Sequence, residues 1–130
     1  MRDLLAETHV RTDDLIAPLF VREGIAEPQP IQSLKGVMQH TRDSLRAEVV
    51  ELAALGVKSV ILFGVPAEKD AVGSGAYDPD GIVQLALGDL RVEVGDDMVV
   101  MSDLCVDEYT SHGHCGIVDE RGVVDNDKTL

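Results

Sequence analysis

Three apolar runs along the chain each have the length of a buried strand. They cover residues 15–21, 59–64 and 98–104. A continuous apolar run of this length between turn residues is typical of a strand that is buried on both faces. The runs begin about forty residues apart. This spacing leaves room for a helix after each strand, so the pattern predicts an α/β fold with parallel β/α units.

Two amphipathic helices are predicted between these strands. The first runs from Thr41 or Asp43, either of which can cap it, to about residue 55. The second covers about residues 81–94, with Asp80 as its expected N-cap. The apolar positions recur at helical spacing and are Leu45, Val49 and Leu52 in the first helix, and Ile82, Leu85, Ala86 and Leu90 in the second.

The remaining segments are rich in glycine, proline and polar residues, and we predict loops there. Residues 22–40 are expected to form a loop with a short hairpin, and residues 67–81 a long loop after the second strand. Pro18 interrupts the first apolar run, where a bulge or a strand end is expected because proline cannot donate to a sheet ladder. Near the end, residues 119–122 predict a hairpin turn, and a further helix is expected to begin only at Thr129.

Composition narrows the class of protein. The 130 residues suit one domain, and the low aromatic content of 3% implies an aliphatic core. The formal net charge of −13 argues against nucleic acid and anionic membranes as partners. No apolar run approaches the length of a membrane span, and no charged and apolar leader opens the chain, so a cytoplasmic location is expected.

The chemistry-bearing residues concentrate after the third strand. Asp103 follows the apolar run and is expected at the carboxyl end of a buried strand. Four side chains that can ligate a divalent metal come next, namely Cys105, Asp107, His114 and Cys115. Their spacing is not that of a zinc finger or ribbon, which needs two short Cys or His pairs.

Structural explanations for the same residues stay open at this point. The cysteines could be inert buried thiols or a disulfide, although a reducing compartment disfavours the disulfide. His112 and His114 could satisfy the backbone of their own turn, and the acids could form a solvated rim. Gly73-Ser74-Gly75 lacks the Gly-Lys-Ser/Thr ending of a phosphate-binding loop, which argues against nucleotide binding.

Several collinear motifs resemble one enzyme family. They are Ala-Pro-Leu-Phe-Val at 17–21, Phe-Gly-Val-Pro at 63–66, Tyr-x-Pro-Asp-Gly at 77–81, Asp-Leu-Cys-x-Asp-x-Tyr-Thr-Ser-His-Gly-His-Cys-Gly at 103–116 and Val-Asp-Asn-Asp-x-Thr-Leu at 124–130. The chain resembles the porphobilinogen synthase, or 5-aminolevulinate dehydratase, family over nearly its whole length.

The resemblance implies a (β/α)₈ TIM barrel preceded by an N-terminal arm. Such a barrel needs about 250 residues, so residues 1–130 are expected to be the N-terminal part of a single barrel domain, with about three β/α units. The barrel is therefore expected to be truncated, with most of the arm missing. Members of the family are usually homo-octamers.

The resemblance also implies an activity. The family is a hydro-lyase that condenses two molecules of 5-aminolevulinate to porphobilinogen in heme biosynthesis, with two Schiff-base lysines on later strands. The lysines of this chain, Lys35, Lys58, Lys69 and Lys128, do not match those motifs, so the 130-residue chain alone is expected to be inactive. The alternative is a non-catalytic metal-binding module or a subunit of a mixed assembly.

The resemblance assigns roles within the 103–116 segment. It implies that Cys105, Asp107 and Cys115 are metal ligands, and that His114 is a fourth ligand or lies beside the metal. Two thiolates favour Zn²⁺, while the acid leaves Mg²⁺ as the alternative. Asp103 matches an active-site carboxylate that binds the substrate amino group or moves a proton.

Overall fold

A five-stranded sheet with two long helices forms the framework of residues 3–130, which are the residues that the structure, a computed structural model, describes. The strands are β1 (Ile16–Arg22), β2 (Gln29–Pro30), β3 (Met38–His40), β4 (Ser59–Val65) and β5 (Val99–Ser102), and the helices are α1 (Arg42–Ala54), α2 (Ile82–Val94) and the short α3 (Asn126–Thr129). No helix in this part of the chain combines the length and the apolar character that crossing a membrane requires.

The strand order is β2-β3-β1-β4-β5. β4 lies between β1 and β5 and is parallel to both, while β3 pairs in parallel with the end of β1. β2 is antiparallel to β3. The parallel β/α units predicted from the apolar runs are therefore confirmed, and the 22–40 loop contains the predicted hairpin.

The core lies between one face of the sheet and the two long helices. Burial alternates along β4, so Val60 and Leu62 point into the core while their neighbours point to the opposite face. From the helices, Leu45, Val49 and Leu90 meet them there. The opposite face is partly open, and Phe20 stacks on Phe63 across it at a centroid distance of 5.2 Å.

The prediction that the strands are buried on both faces is wrong for these residues. β5 is the last strand of the sheet, and its first residue, Val99, is 58% exposed. On the open face of β1, Ile16 is 54% exposed. An apolar run predicts a strand, but the burial of each face depends on which elements lie beside it.

Pro18 lies in the middle of β1, opposite Ile61 of β4, and not at a bulge or strand end. The Glu23 amide donates to Val65 of β4, so the amides of alternate, odd-numbered β1 residues point toward β4. The nitrogen of Pro18 therefore points to the β3 side of β1, and β3 pairs with β1 only from Phe20 onward. Proline removes no ladder hydrogen bond here, because β3 has no residue paired with position 18.

The helix ends match the predictions in part. Thr41 caps α1, and its hydroxyl accepts from the Ser44 amide at 3.1 Å. The expected cap of α2 is wrong, because Gly81 is the N-cap and no side chain caps that end. α3 begins three residues before the expected start, where the Asp125 carboxylate accepts from the Lys128 amide.

Candidate metal centre

The carboxyl ends of β1, β4 and β5 meet at one edge of the sheet, and the loops after β4 and β5 contact each other there. Asp103 is the first residue after β5, and its amide donates to the Leu62 carbonyl of β4 at 3.0 Å. This is the strand-end position that the sequence predicts, although the strand beside it is an exposed edge. Asp103 and Cys105 line the same cavity of about 290 Å³, between α2 and the loop after β5.

Three donor side chains converge in the loop after β5. The sulfur atoms of Cys105 and Cys115 and a carboxylate oxygen of Asp107 all lie within 4.8 Å of one another. Residues 3–130 contain no second group of three or more His, Cys, Asp or Glu side chains at such separations. Cys105 and Asp107 are half-buried and Cys115 is exposed.

The donor set and its spacing fit a tetrahedral zinc ion. Zinc–thiolate bonds of about 2.3 Å at tetrahedral angles place two sulfur atoms about 3.8 Å apart. The three donor atoms therefore need to approach one another by no more than about 1 Å to enclose such an ion. Both cysteines are free thiols, so both are available as ligands.

The Cys105 thiol already interacts with the other two members of the group. The proximity of the Asp107 carboxylate, and then of Cys115, raises the pKa of Cys105 to about 12. Cys105 is therefore protonated at neutral pH. Metal binding requires the thiol to lose that proton.

The structure does not bring His114 into this group. His114 is exposed, its ring lies 5.4 Å from the ring of His112, and its amide donates to His112 Nδ1 at 3.1 Å. Since Nδ1 accepts, the proton of His112 is on Nε2, which donates to the Ala71 carbonyl at 3.2 Å. The His112 ring thus supports the turn, in agreement with the structural explanation for this residue.

The loop after β4 makes backbone contacts with residues 103–116, the segment after β5 that carries the three donors and is called the metal loop below. The Asp70 amide donates to the Tyr109 carbonyl at 3.3 Å, and the Ser111 amide donates to the Asp70 carbonyl at 2.7 Å. These two bonds form a parallel bridge between Asp70 and Thr110. Residues some forty positions apart in sequence are thereby fixed side by side.

The Asp70 carboxylate fixes its own loop at the same point. It accepts from the amides of Val72 and Ser74, at 2.9 and 3.1 Å, and from the Ser74 hydroxyl. These hydrogen bonds, the Ser74 hydroxyl first, lower the pKa of Asp70. The bridge to the metal loop is therefore supported by a turn that is itself hydrogen-bonded.

Tyr109 anchors the metal loop to the core. Its side chain is 6% exposed and lies between α2 and Gly64 of β4, where a Cβ atom would come within 2.2 Å of the tyrosine oxygen. Burial is the main cause that raises the pKa of Tyr109 to about 12, followed by the negative charges of Glu108 and Asp103. The tyrosine is therefore neutral at physiological pH.

Sequence reasoning did not single out Glu108, which is half-buried at the centre of this edge. Burial first, and then the charges of Asp107 and Asp103, raise the pKa of Glu108 to about 7, against the opposing effects of the Gly64 amide and Lys69. In a chain with 24 acidic residues, one more acid carries no signal in the sequence. Only its burial beside two carboxylates distinguishes it.

Comparison with known proteins assigns the chain to a family. The family model for Delta-aminolevulinic acid dehydratase matches residues 1–130. The Delta-aminolevulinic acid dehydratases of Streptomyces coelicolor and Mycobacterium tuberculosis are 55% and 52% identical to the whole of this chain, which covers 40% of each. The enzyme of Halalkalibacterium halodurans is 47% identical, and the chain covers 39% of it.

A solved structure agrees with the sequence comparison. The crystal structure of delta-aminolevulinic acid dehydratase (porphobilinogen synthase) from Toxoplasma gondii ME49, in complex with the reaction product porphobilinogen, aligns with a TM-score of 0.91 at 34% identity. The alignment covers 98% of this chain and 37% of that one. That protein is a TIM barrel, so the predicted partial barrel is confirmed. The chain spans about 40% of the length of the curated relatives that it matches, and it belongs to the delta-aminolevulinic acid dehydratase family.

Proposed function

We propose that this chain supplies the metal-binding part of a porphobilinogen synthase active site, in a hydro-lyase that condenses two molecules of 5-aminolevulinate. The observation that carries the proposal is the convergence of Cys105, Asp107 and Cys115 at the carboxyl edge of a parallel sheet. In barrel enzymes this edge is where catalytic groups lie. Because the chain belongs to the delta-aminolevulinic acid dehydratase family, the reaction that these residues would serve is the condensation of 5-aminolevulinate.

The metal that we propose is Zn²⁺. Two thiols out of three donors favour zinc over magnesium, which prefers an octahedral shell of oxygen atoms. When bound, the metal polarises a substrate oxygen or an associated water. The chain's own contribution is to hold Cys105 and Cys115 close together and to place the hard oxygen of Asp107 beside them.

Asp103 is proposed to bind the amino group of 5-aminolevulinate or to move a proton there. Its position after β5, in the cavity that it shares with Cys105, supports this role. The neighbouring acids Asp107 and Glu108 add negative charge. A cluster of negative groups in a cleft raises the local concentration of a cation, and the substrate carries an ammonium group.

The proposal also concerns the substrate, the location and the assembly of the protein. We expect 5-aminolevulinate as substrate, a cytoplasmic location and a homo-oligomeric assembly, by similarity to the family. Lys58 and Lys69 are the lysines that flank β4, and neither matches a Schiff-base motif. The 130-residue chain alone should therefore form no porphobilinogen, and turnover by the pure chain would contradict this.

Zinc binding is the first test of the proposed site. The purified chain should bind about one Zn²⁺, measured by competition with a chromophoric chelator. Replacing Cys105→Ser, Cys115→Ser or Asp107→Asn should each weaken binding at least about tenfold. His114→Ala and the exposed Asp96→Asn serve as controls and should change the affinity less than about threefold, because neither side chain belongs to the three-donor group.

Two results of the zinc-binding experiment would contradict the proposed metal site. Zinc binding with no defined stoichiometry, or binding that is unaffected by both cysteine replacements, would leave the thiols as structural residues. If zinc binds as proposed, the role of Asp103 can be tested separately. Asp103→Asn should weaken the binding of 5-aminolevulinate to the zinc-loaded chain without changing its zinc affinity.

A further inference from the structure

Thr110 lies between the two segments that carry the candidate ligands. Its residue is 1% exposed, which makes it one of the most buried positions in residues 3–130. Its hydroxyl lies 3.0 Å from the His114 carbonyl and 3.4 Å from the Asp107 carbonyl. One side chain therefore contacts the backbone of a ligand residue and the backbone immediately before Cys115.

The rest of Thr110 is fixed from the other side. Its backbone is bridged to Asp70, and its amide donates to the Val106 carbonyl at 3.0 Å. Its methyl group packs at Gly73, where a Cβ atom would lie 3.2 Å from Thr110 Cγ2. The hydroxyl thus projects from a point that cannot easily move, and its partners are the two sides of the metal loop.

The energetics favour a closed loop. A hydroxyl has one proton, so it donates mainly to the nearer carbonyl, that of His114, with Asp107 as a weaker second acceptor. Breaking these contacts would leave a buried hydroxyl and a carbonyl without partners, which is unfavourable. The contacts of Thr110 therefore oppose opening of the loop between Asp107 and Cys115.

We propose that Thr110 is a positioning residue that sets the separation between Asp107 and Cys115 and thereby the metal affinity of the loop. This inference rests on the proposed metal-binding function. Thr110 is not one of the three donors that would hold the metal. It acts through the backbone on both sides of the site, so that the donors lie close together before an ion arrives.

The test compares variants that separate the hydroxyl from the methyl group. Thr110→Val keeps the shape and removes the hydroxyl, and zinc affinity should fall about tenfold, as for other groups that orient metal ligands. Thr110→Ser keeps the hydroxyl and should restore affinity to within about threefold of the parent chain. The thiolate-to-cobalt charge-transfer band of the Co²⁺-loaded chain should weaken in the valine variant and return in the serine variant.

Thr41→Val is the matched control. It removes the hydroxyl that caps α1, so it lowers stability without touching the metal loop. Zinc affinity should remain that of the parent chain, which separates local positioning from general destabilisation. If the valine variant does not fold, judged by circular dichroism, Thr110→Ala supplies the same loss of the hydroxyl with less steric change.

The outcomes separate the two proposals. A parent chain that binds zinc, with valine or alanine variants of unchanged affinity, would overturn the role of Thr110 and leave the metal site intact. A serine variant as weak as the valine variant would assign the effect to the methyl group and would also overturn the role of the hydroxyl. A parent chain that binds no zinc would refute the metal site, and this inference with it.

Discussion

Replacement of Gly64 by alanine should disrupt the contact that anchors the metal loop. Gly64 lies near the end of β4 and faces the core, and its ideal Cβ would come within 2.2 Å of the Tyr109 oxygen and 2.4 Å of Val83 Cγ2. Real Cβ atoms essentially never approach other heavy atoms this closely. The obstructing groups belong to the metal loop and to α2, so neither can move alone without opening the core.

The expected magnitude follows from the packing. One added methyl group in a close-packed core forces neighbours to shift, at a cost of about 1–3 kcal/mol. A strand glycine replaced by alanine would otherwise gain up to about 1 kcal/mol from reduced backbone entropy in the unfolded chain. Contacts as short as 2.2 and 2.4 Å place the packing cost at the upper end of its range. After the entropic gain we therefore expect Gly64→Ala to lower the free energy of unfolding by about 2 kcal/mol.

Urea unfolding followed by circular dichroism measures this change. Gly88→Ala is the matched control, because Gly88 lies inside α2 and a Cβ there meets nothing within 4 Å. That variant should be more stable than the parent chain by up to about 1 kcal/mol. Combining Gly64→Ala with Tyr109→Phe removes the nearest clashing atom, so the double variant should lose less than the sum of the single changes.

If Gly64→Ala is as stable as the parent chain, the Tyr109 side chain does not fill the space above Gly64. The account of how the metal loop is anchored would then be wrong. The same variant should also weaken zinc binding, because Tyr109 immediately precedes the bridge at Thr110.

Three further predictions concern charge and metal. Burial lowers the pKa of His40 from its ordinary value of 6.5, against the raising effect of Glu48, so the unfolded chain binds the proton more tightly. The free energy of unfolding should therefore fall as the pH drops below about 6.5, and urea titrations between pH 7.5 and 5 should show a weaker dependence in His40→Gln. The Asp89 carboxylate accepts two hydrogen bonds from Arg42, at 2.6 and 2.8 Å, which lower its pKa from 3.8, so Asp89→Asn should cost about 1 kcal/mol at neutral pH. That difference should vanish as the pH falls below 3.8 and Asp89 itself becomes protonated, and a constant difference down to pH 2 would contradict it. Zinc at a hundredfold excess over its dissociation constant should stabilise the chain by about 2.7 kcal/mol, and a chelator should reverse the rise in melting temperature.

The long elements were predictable because each has a strong local pattern. β1 and β4 begin at Ile16 and Ser59, within one residue of the predicted starts, and α1 ends one residue before its predicted end. The short strands β2 and β3 lack such a pattern and were predicted only as a hairpin within a loop. The predicted cap of α2, Asp80, is wrong because the turn before the helix is formed by Asp78. The Asp78 carboxylate accepts a hydrogen bond from the Asp80 amide, and Gly81 becomes the N-cap.

Of the candidate site, the sequence indicates only the donor residues that the structure brings together. Cys105 and Cys115 stand out in the sequence because thiols are rare in this chain, with two in 130 residues, and Asp107 is noticed only because it lies two residues after Cys105. The supporting residues do not stand out, since Asp70 and Glu108 are two acids among 24. Their roles depend on a contact between two loops that no local pattern specifies.

The fate of His114 shows why composition alone cannot select the ligands. His114 is adjacent to Cys115 and is chemically as suitable, yet only the cysteine side chain joins the group. The choice is made by the backbone, which turns tightly at Val106 as the amides of Tyr109 and Thr110 both donate to its carbonyl. That turn directs Tyr109 into the core and places Thr110 between the two sides of the loop. A site of this kind is encoded less by its donor residues than by the buried side chains that determine which donors meet.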